Sequence, residues 1–223
     1  MKRIFESIMS GFLSSQGFPE AVRKLSSPLV ESSVRLYKMI ATDMLPTPSK
    51  MHYTFNLRDL SKVFQGLCQA TPKYMPDVDN FVRLWCHETL RVFHDRLVNA
   101  EDRSWFVNTQ VQLLSEVLNM QMDPEDFKTT MFGGFLDKEE SDPVYRPIPR
   151  GDTLLEALEE LQEEYNVTAG GGHLNLVFFT DAIMHLSRIC RVLQQPRGNA
   201  LLVGVGGSGR QSLTKLASFL SNC

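Results

Sequence analysis

Residues Asn199-Ala200-Leu201-Leu202-Val203-Gly204-Val205-Gly206-Gly207-Ser208-Gly209-Arg210-Gln211-Ser212-Leu213 set the terms on which the rest of the chain is read. An apolar run over 199–203 meets a glycine-rich turn, and a helical pattern follows. A phosphate-binding loop needs that order: a buried strand, a nest of backbone N–H groups and a helix N-terminus. The glycines let consecutive N–H groups converge on an anion, and the helix dipole favours its charge. In the strict pattern a Gly is followed by four residues, then Gly, Lys and Ser or Thr. Gly204 and Gly209 keep that spacing, but Arg210 stands for the Lys and Gln211 for the hydroxyl residue, with Ser212 one place late. Arginine meets phosphate as a bulky fork where lysine is a point charge. The lost hydroxyl weakens magnesium binding more directly. The expected phosphate-contacting set is Gly204, Val205, Gly206, Gly207, Ser208, Gly209, Arg210, Gln211 and Ser212. The rival reading is an ordinary tight strand-to-helix turn. A working site also needs acidic magnesium ligands from later strands, so the chain reads as a piece of something larger.

Composition narrows the classes. With 43% apolar residues in 223, the chain can build one large core or two small ones, which excludes wholesale disorder. A net charge of −3 argues against nucleic acid as a partner. Cys68, Cys86, Cys190 and Cys223 are scattered without metal-ligand spacing, as expected for a reduced, intracellular setting. No apolar run reaches the roughly 20 residues that span a bilayer, and the Met1 end lacks a signal peptide's apolar core. A soluble chain, cytoplasmic or attached to the cytoskeleton, is expected.

Upstream of the glycine loop, most of the sequence has helical period. Residues 3–14 present Ile4, Phe5, Ile8, Phe12 and Leu13 as one apolar face. Ser26-Ser27-Pro28 reads as a cap and first turn, opening a helix to about Leu45. Leu45-Pro46-Thr47-Pro48 breaks it. Asn56 then caps a helix whose stripe is Leu57, Leu60, Val63, Phe64 and Leu67, with Asp59 in the favourable first turn. A long helix is expected over 78–98 and another over 101–120. Residues 121–151, rich in Gly and Pro, read as a connector with a short strand at Met131–Leu136. An acidic helix follows to Tyr165, its Glu159, Glu160, Glu163 and Glu164 forming a solvated face. Gly170-Gly171-Gly172 is a joint, and Leu174–Leu193 reads mostly as helix. The expected division is a helical block at 1–120, a connector at 121–165, and the start of an α/β domain at 166–223.

Two further side-chain groups invite chemistry. Arg58 lies in the first turn of the capped helix, where its guanidinium would be held still; the plainer reading pairs it with Asp59 or another carboxylate. His87-Glu88 and His94-Asp95 share a face at seven-residue spacing, whereas helical zinc sites want histidines four apart with a third ligand. Packing and surface roles are therefore expected for them, with no metal site and no self-contained catalytic residue.

Three runs carry a resemblance. His52-Tyr53-Thr54-Phe55-Asn56-Leu57-Arg58-Asp59-Leu60-Ser61-Lys62-Val63-Phe64-Gln65-Gly66 resembles the lid of the third AAA+ module of dynein heavy chains. Leu84-Trp85-Cys86-His87-Glu88 with Arg91-Val92-Phe93-His94-Asp95-Arg96-Leu97 resembles a second signature of that lid. The run Leu202–Leu213 is similar to the P-loop of the fourth module, its Gln211-Ser212 ending like that of axonemal dyneins. The resemblance implies a mainly α fold: a helical AAA+ lid bundle followed by the start of an α/β P-loop domain. It implies ATP or ADP as ligand, with magnesium in the complete motor, and Arg58 as the sensor-II arginine that reaches a γ-phosphate. The P-loop served by Arg58 would lie before Met1, and the lid serving Gly204–Ser212 beyond Cys223.

The implied partners are the other AAA+ modules of the same heavy chain and, through the full protein, microtubules and dynein intermediate and light chains; neither nucleic acid nor a membrane is implied. The implied location is the cytoplasm and cytoskeleton, in the axoneme of a cilium or flagellum. The expected role is nucleotide-dependent coupling between ring modules in an ATP-driven motor, with no self-sufficient catalysis. The rivals are an autonomous P-loop ATPase or kinase and a helical adaptor whose glycine loop is incidental.

Overall fold

The helical periodicity resolves into two compact units, Met1–Thr130 and a second that begins at Met131. The computed structural model describes residues 1–136, 144–149, 151–168 and 172–222.

In the first unit the chain runs through α1 (Lys2–Ser15), α2 (Glu20–Lys24), α3 (Ser26–Asp43), α4 (Leu57–Leu67), α5 (Val78–Val92), a 3-10 turn (His94–Arg96), α6 (Ala100–Leu118) and α7 (Pro124–Thr129). Helix α3 lies between α1 and α6, while α4 packs on α5. Trp85 is fully buried, and its indole N–H donates to Ser33 Oγ at 2.8 Å. Ser33 in turn donates to the Leu29 carbonyl at 2.7 Å, so α5 and α3 share a dry polar link without an orphaned group. Phe5 stacks on Phe64 with centroids 4.3 Å apart. Helices α4 and α5 approach closely at Gly66, where a Cβ would collide with the buried Glu88 carboxylate.

Several sequence expectations need correction here. The inner face of α1 is Phe5, Met9 and Leu13, whereas Ile4 and Ile8 are exposed; both stripes have helical spacing, and only the partner helix selects between them. No serine caps α3. Helix α2 runs almost directly into it, Leu29 N–H donating to the Leu25 carbonyl at 2.9 Å. The helix expected over 78–98 ends at Val92, and Asn99 starts α6 afresh by accepting from Asp102 N–H. Within the expected connector, Asp123 caps α7 with Pro124 in its first turn, and Phe127 is buried.

The second unit contains a two-stranded antiparallel ribbon, β1 (Phe132–Gly133) with β2 (Arg146–Pro147), and helices α8 (Asp152–Thr168), α9 (Thr180–Leu193) and α10 (Arg210–Leu220). Its core gathers Leu158, Leu186, Cys190, Leu216 and Ala217. Glu159, Glu160, Glu163 and Glu164 of α8 are exposed, as expected of a solvated face.

Helix α9 starts six residues later than expected. Residues 174–179 are extended, with Leu174, Leu176 and Phe178 turned toward the core and Asn175, Val177 and Phe179 exposed, the period-two pattern of a strand. Side chains of α8 occupy their backbone groups: Asn166 bonds both the N–H and the carbonyl of Leu174, and Gln162 accepts from Leu176 N–H at 2.8 Å. The strand expected over 199–203 has no ladder partner among the described residues, and Leu201 and Val203 are 89% and 85% exposed. A strand apolar on both faces needs cover on both; here only Leu202 meets the core. Of the expected joint, Gly170 and Gly171 lie outside the described residues. No described helix is long and apolar enough to cross a membrane.

Candidate functional site

The glycine loop and Arg58 belong to different units, so each is built from its own surroundings.

At the loop, Gly207 and Gly209 take the left-handed region, at φ 77° and 72°. Those two turns aim the chain into α10 without the cost a side chain would incur. Gly209 is the N-cap of α10 and offers no side-chain cap. Among the described residues, the backbone N–H groups from Gly206 to Ser212 find no acceptor. A helix start normally has these donors satisfied by a cap, water or a ligand. Here they stand together at the positive end of a helix dipole, a fit for a phosphate.

Arg210 is half-buried and bends back over the loop. Its Nη2 donates to the Val205 carbonyl at 2.9 Å, and its Nη1 lies 3.5 Å from the Leu202 carbonyl. Its stem passes 3.5 Å from the place a Cβ would take on Gly204. Gln211 is exposed and Ser212 half-buried in the first turn. An open cavity of about 970 Å³ runs along the flank of α10 past Tyr165, Thr214 and Phe219. The loop glycines do not line it, so the phosphate-binding reading rests on the loop itself.

In the first unit, α4 begins with a reciprocal capping box. Asn56 Oδ1 accepts from Arg58 N–H at 2.8 Å, and Asp59 Oδ2 accepts from Asn56 N–H at 3.0 Å. Arg58 projects from this first turn, exposed, and no carboxylate pairs with it among the described residues. The plainer reading, a pair with Asp59, is not what forms: Asp59 takes Arg96 instead, Nη1 to Oδ2 at 3.0 Å.

The lead-in to α4 is fixed as firmly as the helix start. Tyr53 is buried, and its hydroxyl donates to Asp102 at 2.8 Å and accepts from Val98 N–H. Lys50 reaches the same carboxylate at 2.6 Å. Burial pushes the Asp102 carboxyl up, but the Lys50 and Tyr53 hydrogen bonds and the Lys50 charge outweigh it, and its pKa falls below the ordinary value. Sequence reasoning passed over Tyr53, Arg96 and Asp102; the only available signal was that Tyr53 and Arg96 lie inside the two lid-like runs.

The histidines do not form a site. His87 is buried on α5 and its Nδ1 sits 3.2 Å from the Thr130 carbonyl. His94 lies in the 3-10 turn, off the helix that was expected to align the two. No metal-binding cluster of His, Cys, Asp or Glu occurs among the described residues.

A capped helical bundle bearing an unpaired arginine, followed by a glycine loop opening a helix, is the layout of an AAA+ lid succeeded by a P-loop element. Comparison with known families agrees: residues 29–128 match the AAA+ lid domain, and residues 174–223 match the P-loop containing dynein motor region D4. Over 99% of its length the chain is homologous to axonemal dynein heavy chains. It is 44% identical to dynein axonemal heavy chain 6 of Homo sapiens and 43% identical to dynein axonemal heavy chain 1 of Mus musculus. It is 39% identical to the dynein-1-beta heavy chain, flagellar inner arm I1 complex, of Chlamydomonas reinhardtii. In each case the chain spans about 5% of the relative's length.

Proposed function

We propose that this chain supplies nucleotide-handling parts of two successive AAA+ modules in an ATP-driven axonemal motor that works on microtubules. The observation that carries this is the row of unpartnered N–H groups from Gly206 to Ser212 at the uncapped start of α10. Gly204, Val205, Gly206, Gly207, Ser208, Gly209, Arg210, Gln211 and Ser212 would hold the phosphates of ATP or ADP. Arg210 leaves the Val205 carbonyl to meet the anion. The loop offers magnesium two hydroxyls, Ser208 and Ser212, and a magnesium site needs carboxylate ligands besides. Holding nucleotide is thus better supported here than turning it over.

Residues 1–120 would act as the lid of one module, 121–165 as a connector and 166–223 as the opening of the next. Arg58 would sense the γ-phosphate of the nucleotide that this lid covers. The partners are the other AAA+ modules of the heavy chain and, through the whole protein, microtubules and intermediate and light chains. The axoneme is the place of action, as the names of the relatives indicate.

The test is binding of fluorescent ADP and ATP to a complete heavy chain carrying this segment. Arg210→Ala should weaken binding at the D4 loop by roughly tenfold or more, the loss expected for a charge-assisted phosphate contact. Unchanged binding in Arg210→Ala, with nucleotide at D4 shown by crosslinking, would remove Arg210 from the phosphate site.

A further inference from the structure

The geometry points to Arg96 as the residue that positions Arg58. One guanidinium reads the whole approach to α4. Its Nη2 donates to the His52 carbonyl at 2.8 Å and to the Thr54 carbonyl at 3.1 Å. Its Nη1 pairs with Asp59 at 3.0 Å. The guanidinium carbon lies 4.6 Å from the centre of the Phe55 ring, the stacking a planar cation favours. His52 Nε2 returns a contact to the Arg96 carbonyl at 2.9 Å. His52, Thr54, Phe55 and Asp59 therefore all hang on a single fork from the 3-10 turn.

The consequence for Arg58 is mechanical. Asp59 holds Asn56 N–H, and Asn56 holds Arg58 N–H, so hydrogen bonds run unbroken from Arg96 through Asp59 and Asn56 to the backbone of Arg58. By occupying Asp59, Arg96 also takes away the carboxylate nearest in sequence to Arg58. The same interaction that fixes the direction of the first turn keeps the neighbouring cation free for a ligand. A lysine at 96 would keep the charge and lose the fork, because a single ammonium cannot match two carbonyls, a carboxylate and a ring at once. Arg96 reaches the carbonyls of His52 and Thr54 from the 3-10 turn that follows the end of α5 at Val92.

The inference rests on Arg58 sensing the γ-phosphate. Its test therefore separates the two claims. In a complete heavy chain carrying this segment, the preference for ATPγS over ADP is measured for wild type, Arg58→Ala, Arg96→Lys and the double variant. Arg96→Lys should lower the preference in the same direction as Arg58→Ala, and the double variant should fall no further than Arg58→Ala alone. The drop expected is on the order of tenfold, the scale of one charged hydrogen bond. Asp59→Asn, which keeps an acceptor for Asn56 N–H but weakens the hold on Arg96, should behave likewise if Arg96→Lys does not fold. Losses that add in the double variant, or a preference untouched by Arg96→Lys, would reduce Arg96 to a stability residue. If Arg58→Ala itself leaves the preference intact, the sensing role and the inference fall together.

Discussion

Asp59 pairs with Arg96 and leaves its immediate neighbour Arg58 unpaired. Adjacent residues on a helix point in different directions, whereas Arg96 arrives from the 3-10 turn with its fork already braced by two carbonyls. The capped start of α4 is thus held from outside, and that arrangement can be probed apart from any nucleotide chemistry.

Replacing Asn56 by Ala removes the acceptor for Arg58 N–H and leaves a helix-start donor to water. The cost expected is about 1 kcal/mol, the usual worth of an N-cap. Urea denaturation followed by circular dichroism should show a lower midpoint with the slope unchanged. Asn56→Asp should recover most of the loss.

Gly66→Ala places a methyl group against the buried Glu88 carboxylate where α4 meets α5. Forcing atoms into a filled interface costs about 1–3 kcal/mol. Thermal unfolding should show a clear drop, and Gly66→Ala combined with Glu88→Gln should not rescue it, since the glutamine is no smaller. Full rescue by that pair would mean that charge, not volume, sets the constraint.

Gly198→Ala meets backbone rather than side chain: its Cβ would collide with the Val192 carbonyl oxygen at the end of α9. Backbone gives less readily, so the turn that leads into the glycine loop should open. Amide exchange across residues 190–198 should speed up, while the first unit's exchange stays as in the wild type.

The Lys50–Asp102–Tyr53 cluster predicts a pH dependence with two limbs. The Asp102 pKa is depressed, so its contribution to stability is present above the ordinary carboxylate value of 3.8 and is lost as pH falls through the lower folded value. The Lys50 pKa is raised, chiefly by its hydrogen bond to Asp102, so that contribution is present below 10.5 and lost as pH rises through the folded value. Denaturation midpoints measured from acid to alkaline pH should show both limbs, and Asp102→Asn should flatten both.

Much of this was legible from local pattern. The Asn56 cap, the stripe Leu60, Val63, Phe64 and Leu67, the solvated glutamates of α8 and the helix after Gly209 all follow from spacing and side-chain chemistry within a turn or two. The extended segment 174–179 was not. Its run Leu-Asn-Leu-Val-Phe-Phe carries both helical and period-two readings, and the amides of Gln162 and Asn166, supplied by another helix, choose the second.

Sequence therefore determined the glycine loop and its departures at Arg210 and Gln211, which depend on residue identity at fixed short spacings, and carried the resemblance to an AAA+ lid in the runs 52–66, 84–88 and 91–97. Tertiary structure alone settled which cation Asp59 would take, where α5 would stop, and that Arg210 would fold back on the Val205 carbonyl. Two cations competed for Asp59, one adjacent and one remote. The remote one prevails because three other partners hold its guanidinium in place, and such convergence exists only once the chain has folded.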